Sequence, residues 1–495
     1  MSDRTNKVLV FSLAQVITLV INFFVSPYLS RALPKSEYSA FNQVIVIIGL
    51  AAVLFSFGIQ SVVFLFFSRK DPEQRQTIST IQFFILCLGA LSALCLWLFT
   101  YAASGLFDNP QIPGYLRACA PAVFFTFLNN YLISVLVFNS RTKQVAFLAV
   151  TTSFFTVTFL YLSLNRWHSV SLALFFSQVA APLLSLLTAF FLARRFLLLQ
   201  IRPDWPSVLR IFKVSGPLYI TSLLGSSYLY FSAFFVIFIL GDINYANYRN
   251  GAVEIPFIST VAFSVSAILL PDLNKYFHEG NLAAALELKK KIINQCIFLL
   301  YPVIVFFIVY HYEFIVSYFS MKYAESAIVF AIYSCTCFIR INDYQDVLIT
   351  AGKSAYILKA NIIYFLTNIA SVVLLGLLFG IKGVAVAASL SVFVLAYILL
   401  RKDAAIFGVN LLTFFKLKPI FVLLGVTFGF SFLLKYGLYW VFPANHLWLF
   451  LTAAMLYFPV VYIFILRQGY IIPSVVDIVR KKLPFFSFLI QTKQT

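Results

Sequence analysis

The sequence predicts an all-α polytopic membrane protein, and three observations predict it. Hydrophobic residues make up 62% of the 495 and charged residues only 11%, where soluble chains carry about 25% charge. Apolar runs of about 20 residues recur along the whole length, which is what crosses roughly 30 Å of hydrocarbon at 1.5 Å per residue. Basic residues gather in alternate loops between those runs, as the orientation rule for membrane helices requires.

The runs number about fourteen: 8–30, 41–67, 78–104, 116–138, 145–164, 171–192, 212–239, 248–270, 293–310, 326–350, 357–379, 383–400, 418–440 and 447–466. The first has no small-x-small cleavage site before Arg31 and is long enough to span, so it is expected to stay. The fifth and sixth are separated only by Asn165-Arg166-Trp167-His168, and the tenth is unusually polar. With the N-terminus inside, 27 of the 36 lysines and arginines fall on the cytoplasmic side, 8 on the other, and Arg340 within a span. Both termini are then cytoplasmic, and the net charge of +19 reports orientation instead of a nucleic-acid partner.

A repeat runs through this series. Leu33, Tyr38 and Phe41 join helices one and two, and Leu240, Tyr245 and Tyr248 join helices seven and eight with the same spacing, 207 residues later. Tyr131 to Arg141, between helices four and five, parallels Tyr344 to Lys353-Ser354, between helices ten and eleven. Two six-helix lobes, 1–200 and 201–402, are therefore expected as parallel repeats about an axis along the membrane normal. Residues 403–495 add two further helices and a basic cytoplasmic tail. Asp272 to Lys291, with Lys289-Lys290-Lys291, and the tail from Val475 to Ile490 suit amphipathic surface helices on an anionic inner leaflet.

The six cysteines lie in or beside apolar runs with no Cys-x-x-Cys, and the four histidines are widely spaced, so packed thiols are expected and no metal site. No Walker loop, Gly-x-Gly-x-x-Gly, Asp-x-Asp or His-Glu-x-x-His occurs, which points away from an enzyme and from bound cofactors. The informative residues are ionised groups inside spans. Glu254 lies in helix eight, where a central acidic residue costs roughly 2.5–3.5 kcal/mol and normally faces a wet cavity or a partner. Arg249, five residues earlier, offers one neutralising partner. Arg340 lies about 21 Å along helix ten from its outer end, and Asp343, three residues on, shares its helix face and can pair with it. Asn250 and Tyr344 flank these groups, and Arg117 stands at the outer mouth of helix four.

At these residues the chain resembles the Wzx-type lipid-linked oligosaccharide flippases, of the polysaccharide transporter family in the multidrug/oligosaccharidyl-lipid/polysaccharide exporter superfamily. The resemblance rests on Pro27-Tyr-Leu-Ser-Arg31-x-Leu33 with Tyr38, and on Asn250-Gly251-Ala252-x-Glu254-Ile255-Pro256 with Leu270-Pro271. It rests also on Arg340-x-x-x-Tyr344 with Gly352-Lys353, and on Gly380-Ile-Lys-Gly383-Val-Ala385. It implies alternating access around a cationic cavity and an undecaprenyl-diphosphate-linked repeat unit of a surface polysaccharide such as O-antigen, carried across a bacterial inner membrane. Arg340, Arg249, Arg117, Asn250 and Tyr344 are then the expected substrate-binding residues, and Glu254 and Asp343 the ion-coupling ones. Membrane lipids, a polysaccharide polymerase and chain-length machinery are the further candidate partners. The dense arginines that lipid II flippases carry in helices one and two are absent, which points away from lipid II. Rival readings are a multidrug antiporter of the same superfamily, and a membrane oligosaccharide polymerase or ligase. The former prefers acidic residues in the first half; the latter needs a large outer loop.

Overall fold

In the computed structural model the regular elements are helices throughout the described residues, with no strand among them. The structure describes residues 3–56, 58, 63–64, 66–67, 74–197, 203–255, 258, 271–342, 344–443 and 445–470. Among the described residues ten helices are long and apolar enough to cross a membrane, and the protein is a multi-pass membrane protein. One of the ten is a 54-residue element, α16 in the numbering below, with Gly380 at φ 58°, ψ −142°. Asn368 Nδ2 reaches Ser391 Oγ at 3.4 Å, and these residues lie almost equally far before and after Gly380. The chain therefore doubles back there, as the two runs 357–379 and 383–400 anticipate. Only glycine takes such a φ without strain, and Gly383 must lack a Cβ because one would stand 1.8 Å from the Leu375 carbonyl oxygen.

Two compact units divide the chain, Met1–Ala246 and Asn247–Thr495. The first comprises α1 (Asp3–Phe23), α2 (Val25–Ala32), α3 (Lys35–Leu54), α4 (Gln74–Ala102), α5 (Ile112–Cys119), α6 (Pro121–Phe138), α7 (Thr142–Asn165), α8 (Val170–Phe175), α9 (Ala181–Ala193) and α10 (Trp205–Phe235). Prolines explain its interruptions, because each removes an N–H and crowds the preceding turn. Pro27 follows the kink between α1 and α2, Pro121 opens α6, and Pro182 follows a π-helical turn at Phe176–Ala180. The short link between runs five and six is a real turn. Ser169 caps α8 by accepting from Leu172 N at 3.3 Å, and His168 has φ 48°. The core packs α6 between α4 and α9, with Ile85, Leu132, Val135, Leu136 and Ala189 fully or nearly fully buried.

The chain passes between the units within α11 (Asp242–Gly251). The second unit then holds α12 (Leu282–Val309), α13 (His311–Tyr318), α14 (Ser326–Thr336), α15 (Asp346–Thr350), α16 (Ser354–Phe407), α17 (Leu417–Val441) and α18 (His446–Arg467). This partition by packing is separate from the repeat-based one. The last two helices are built into the unit around α12. Lys435 Nζ donates to Glu313 Oε2 and to Val309 O, each at 2.8 Å, and Tyr457 Oη donates to Pro302 O at 3.0 Å. Asn294 ties the entry to α17 twice, accepting from Lys416 N at 2.8 Å and donating to Phe414 O at 2.9 Å.

One expectation is corrected here. The lysine run 289–291 is no separate surface helix, because α12 runs unbroken from Leu282 into the ninth span. Lys289 is fully buried and paired with Asp346 at 2.5 Å. The basic tail from Val475 to Ile490 lies outside the described residues.

Candidate functional site

The polar centre of the second unit forms where two helices fail to continue. α11 closes its last turn with Ala252 N bonded to Tyr248 O at 2.8 Å, and Val253 to Ile255 follow without helical structure. Pro256 supplies the reason. It has no N–H to give and disfavours the helical region for the residue before it. The second break follows α14. Cys337 N, Phe338 N and Ile339 N each bond three residues back, at 3.1, 3.3 and 3.0 Å, so the helix tightens and unwinds before α15 resumes at Asp346.

A broken helix leaves carbonyls without helical partners, and buried ones must be satisfied otherwise. Two tyrosines meet that need. Tyr301 Oη donates to Phe338 O at 3.1 Å, and Tyr344 Oη donates to Ile339 O at 2.9 Å. Below the break, Asp346 Oδ1 accepts from its neighbour Val347 N at 2.7 Å as well as from Lys289 Nζ. The ammonium of Lys289 also lies 5.8 Å from the centre of the Tyr344 ring.

The two breaks face each other, and one charged side chain from each meets the other. Arg340 Nη1 lies 2.6 Å from Glu254 Oε1, with the two side chains 39% and 53% exposed. α11 is pressed onto α14 to make this possible. A Cβ on Gly251 would stand 2.5 Å from Val329 Cβ and 2.8 Å from Ser326 O, so glycine alone permits the approach. Asn247 Nδ2 donates to Glu325 Oε2 at 2.5 Å, and the hydroxyls of Tyr248 and Tyr333 bond each other. The pair is open on one side and rigidly framed on the other.

The residues singled out from sequence fall as follows. Glu254 and Arg340 are brought together across 86 positions of sequence. Arg249 is exposed at the end of α11, and Asn250 beside it is buried. Tyr344 is buried with its hydroxyl committed to the backbone, so it holds the break in shape. Arg117 belongs to the first unit, where its guanidinium lies 5.0 Å from the Tyr101 ring centre and its Nε donates to Pro113 O at 3.3 Å. Asp343 lies outside the described residues. Lys289, Asp346 and Tyr301 were not singled out as site supports. A signal for Lys289 exists, since Ala285, Lys289, Ile292, Ile293 and Cys296 form one buried helical stripe.

The family model for polysaccharide biosynthesis proteins matches residues 5–277. No curated protein matches the chain in sequence. Among solved structures, the lipid II flippase MurJ in an inward closed conformation aligns at TM-score 0.72 and 17% identity, over 96% of this chain and 100% of that one. A multidrug resistance MATE family transporter in an inward-facing conformation aligns at TM-score 0.58 and 13% identity, over 80% and 94%. A transporter of the MOP superfamily from Pyrococcus furiosus aligns at TM-score 0.59 and 14% identity, over 82% and 96%. At these identities the likeness is one of fold.

Proposed function

We propose, from the premise that this chain belongs to the polysaccharide biosynthesis protein family, that it is a flippase. Its cargo is a polyprenyl-diphosphate-linked oligosaccharide, moved from the inner to the outer leaflet of a bacterial inner membrane by alternating access. The observation that carries the reading is the accessible Arg340–Glu254 pair seated between two helix breaks. Discontinuous helices are tolerated at membrane depth where they line a cavity or are buried in protein, and transporters build substrate and ion sites from them.

The chemistry follows from how accessible the pair is. With the two side chains 39% and 53% exposed, a competing anion can reach the guanidinium. A diphosphate offers Arg340 several acceptor oxygens and the bidentate geometry a guanidinium favours. Glu254 must then lose its partner in a medium that penalises a lone carboxylate. A proton or cation taken up by Glu254 removes that penalty and frees Arg340 for the cargo. Exchange of partners thus couples substrate to ion while keeping the site close to neutral. Arg249, exposed at the end of α11, adds a second guanidinium on the same chain segment, and Arg117 is proposed as a contact from the first unit.

Cells carrying Arg340→Ala or Glu254→Gln are expected to keep the protein in the membrane, lose surface polysaccharide and accumulate the lipid-linked intermediate. Normal export by both variants would overturn the site. Altered drug resistance with unchanged polysaccharide would favour a multidrug antiporter.

A further inference from the structure

A second polar site lies in the first unit, where α3 meets the start of α11. Gln43 sits two turns into α3, and Asp242 is the first residue of α11. Gln43 Nε2 donates to Asp242 Oδ1 at 2.5 Å and to Ser39 Oγ at 3.1 Å. Gln43 is fully buried, yet its Oε1 has no hydrogen-bond donor among the described residues. Gly241, at φ 90°, takes a backbone conformation that favours glycine, and Asp108 Oδ2 lies in van der Waals reach of its position.

What this arrangement lacks is one donor. A buried amide oxygen without a partner is costly, because it has given up water and gained nothing in return. An ionised carboxylate is an acceptor only, whereas a protonated one carries an O–H. A carboxylic acid and a primary amide together make a ring of two hydrogen bonds, the acid O–H to the amide oxygen and the amide N–H to the acid carbonyl. We propose that Asp242 is a proton-binding site whose protonated carboxyl donates to Gln43 Oε1 while accepting from Nε2, clasping α3 to the start of α11. The site is separate from the Arg340–Glu254 pair and does not depend on its role.

Surrounding charge agrees with this. Burial lifts the Asp242 carboxyl above the usual carboxylate range, the Gln43 bond works against that rise, and the nearby Asp108 carboxylate adds to it. Of the other elements close by, α3 carries Lys35 and Glu37 in its first turn, and α5 carries Arg117, engaged with Tyr101. Because the clasped arrangement raises the affinity of Asp242 for its proton, the clasp is firm at low pH. It loosens as pH rises through that raised value.

The test is hydrogen–deuterium exchange of the full-length protein in lipid nanodiscs, read as protection factors for residues 241–246 between about pH 4 and pH 8. The wild type is expected to lose about fivefold in protection on going up in pH, the equivalent of one hydrogen bond. In Asp242→Asn the side-chain amide forms the same two-bond ring at every pH, so protection should stay high and flat. Asp108→Asn should shift the wild-type transition to lower pH, a displacement that a purely structural contact would not produce. Protection that is flat or rises with pH in the wild type, or a pH dependence retained by Asp242→Asn, would overturn the assignment.

Discussion

Two ion pairs stand six residues apart along the same interrupted helix, and they are opposites. Lys289 and Asp346 are 0% and 9% exposed, with the carboxylate also holding the first amide of α15. Arg340 and Glu254 are 39% and 53% exposed. Removing one partner from a buried pair leaves an uncompensated charge, whereas an exposed pair is screened and contributes little. The first pair is therefore a fixture of the fold, and the second is the one a ligand can reach, as the proposed exchange of partners requires.

The largest effect expected is at the anchor. Asp346→Ala or Lys289→Ala should cost about 3–5 kcal/mol, seen as a steep fall in the thermal midpoint in detergent. The double variant Lys289→Met with Asp346→Leu should recover most of that loss. A single variant that melts like the wild type would break the comparison. Gly251→Ala should come next, at about 1–3 kcal/mol, because overpacking pushes α11 away from Val329 and Ser326. Loss of lipid-linked substrate binding in a variant that still folds would show that the approach of the two breaks matters. Tyr344→Phe removes the hydroxyl from Ile339 O and should cost about 1 kcal/mol, checked by the same melting curve. Smallest in stability are Arg340→Ala and Glu254→Gln, at no more than about 1 kcal/mol, although export should fail in both. A large destabilisation by either would make the second pair a fixture too.

The spans were legible because hydrocarbon thickness sets a length that composition alone reveals, and eleven of the expected runs fall in ten described helices, one of which covers two runs about Gly380. Glu254 and Arg340 were legible as residues because charge within an apolar run needs a reason. Their pairing was not legible, since 86 positions separate them and only packing decides which breaks meet. Local alternatives, Arg249 for Glu254 and Asp343 for Arg340, presumed continuous helices. Pro256 was visible as a breaker, but the unwinding after Thr336 has no proline or glycine to announce it. Lys289 was read by its neighbours in a lysine run, although helical periodicity placed it on the apolar stripe. Nothing in sequence distinguishes Gln43 from other amides within the apolar runs, and its oxygen acquires meaning only beside Asp242.

The tyrosine hydroxyls at Phe338 and Ile339 carry one more consequence. They occupy backbone acceptors, so a ligand that binds Arg340 as proposed meets a chain already unwound. It need not melt a helical turn or freeze a loop, and the conformational entropy of ordering that segment was surrendered when the protein folded. Recognition there should be fast and weakly temperature-dependent, with discrimination left to the sugars and the anion.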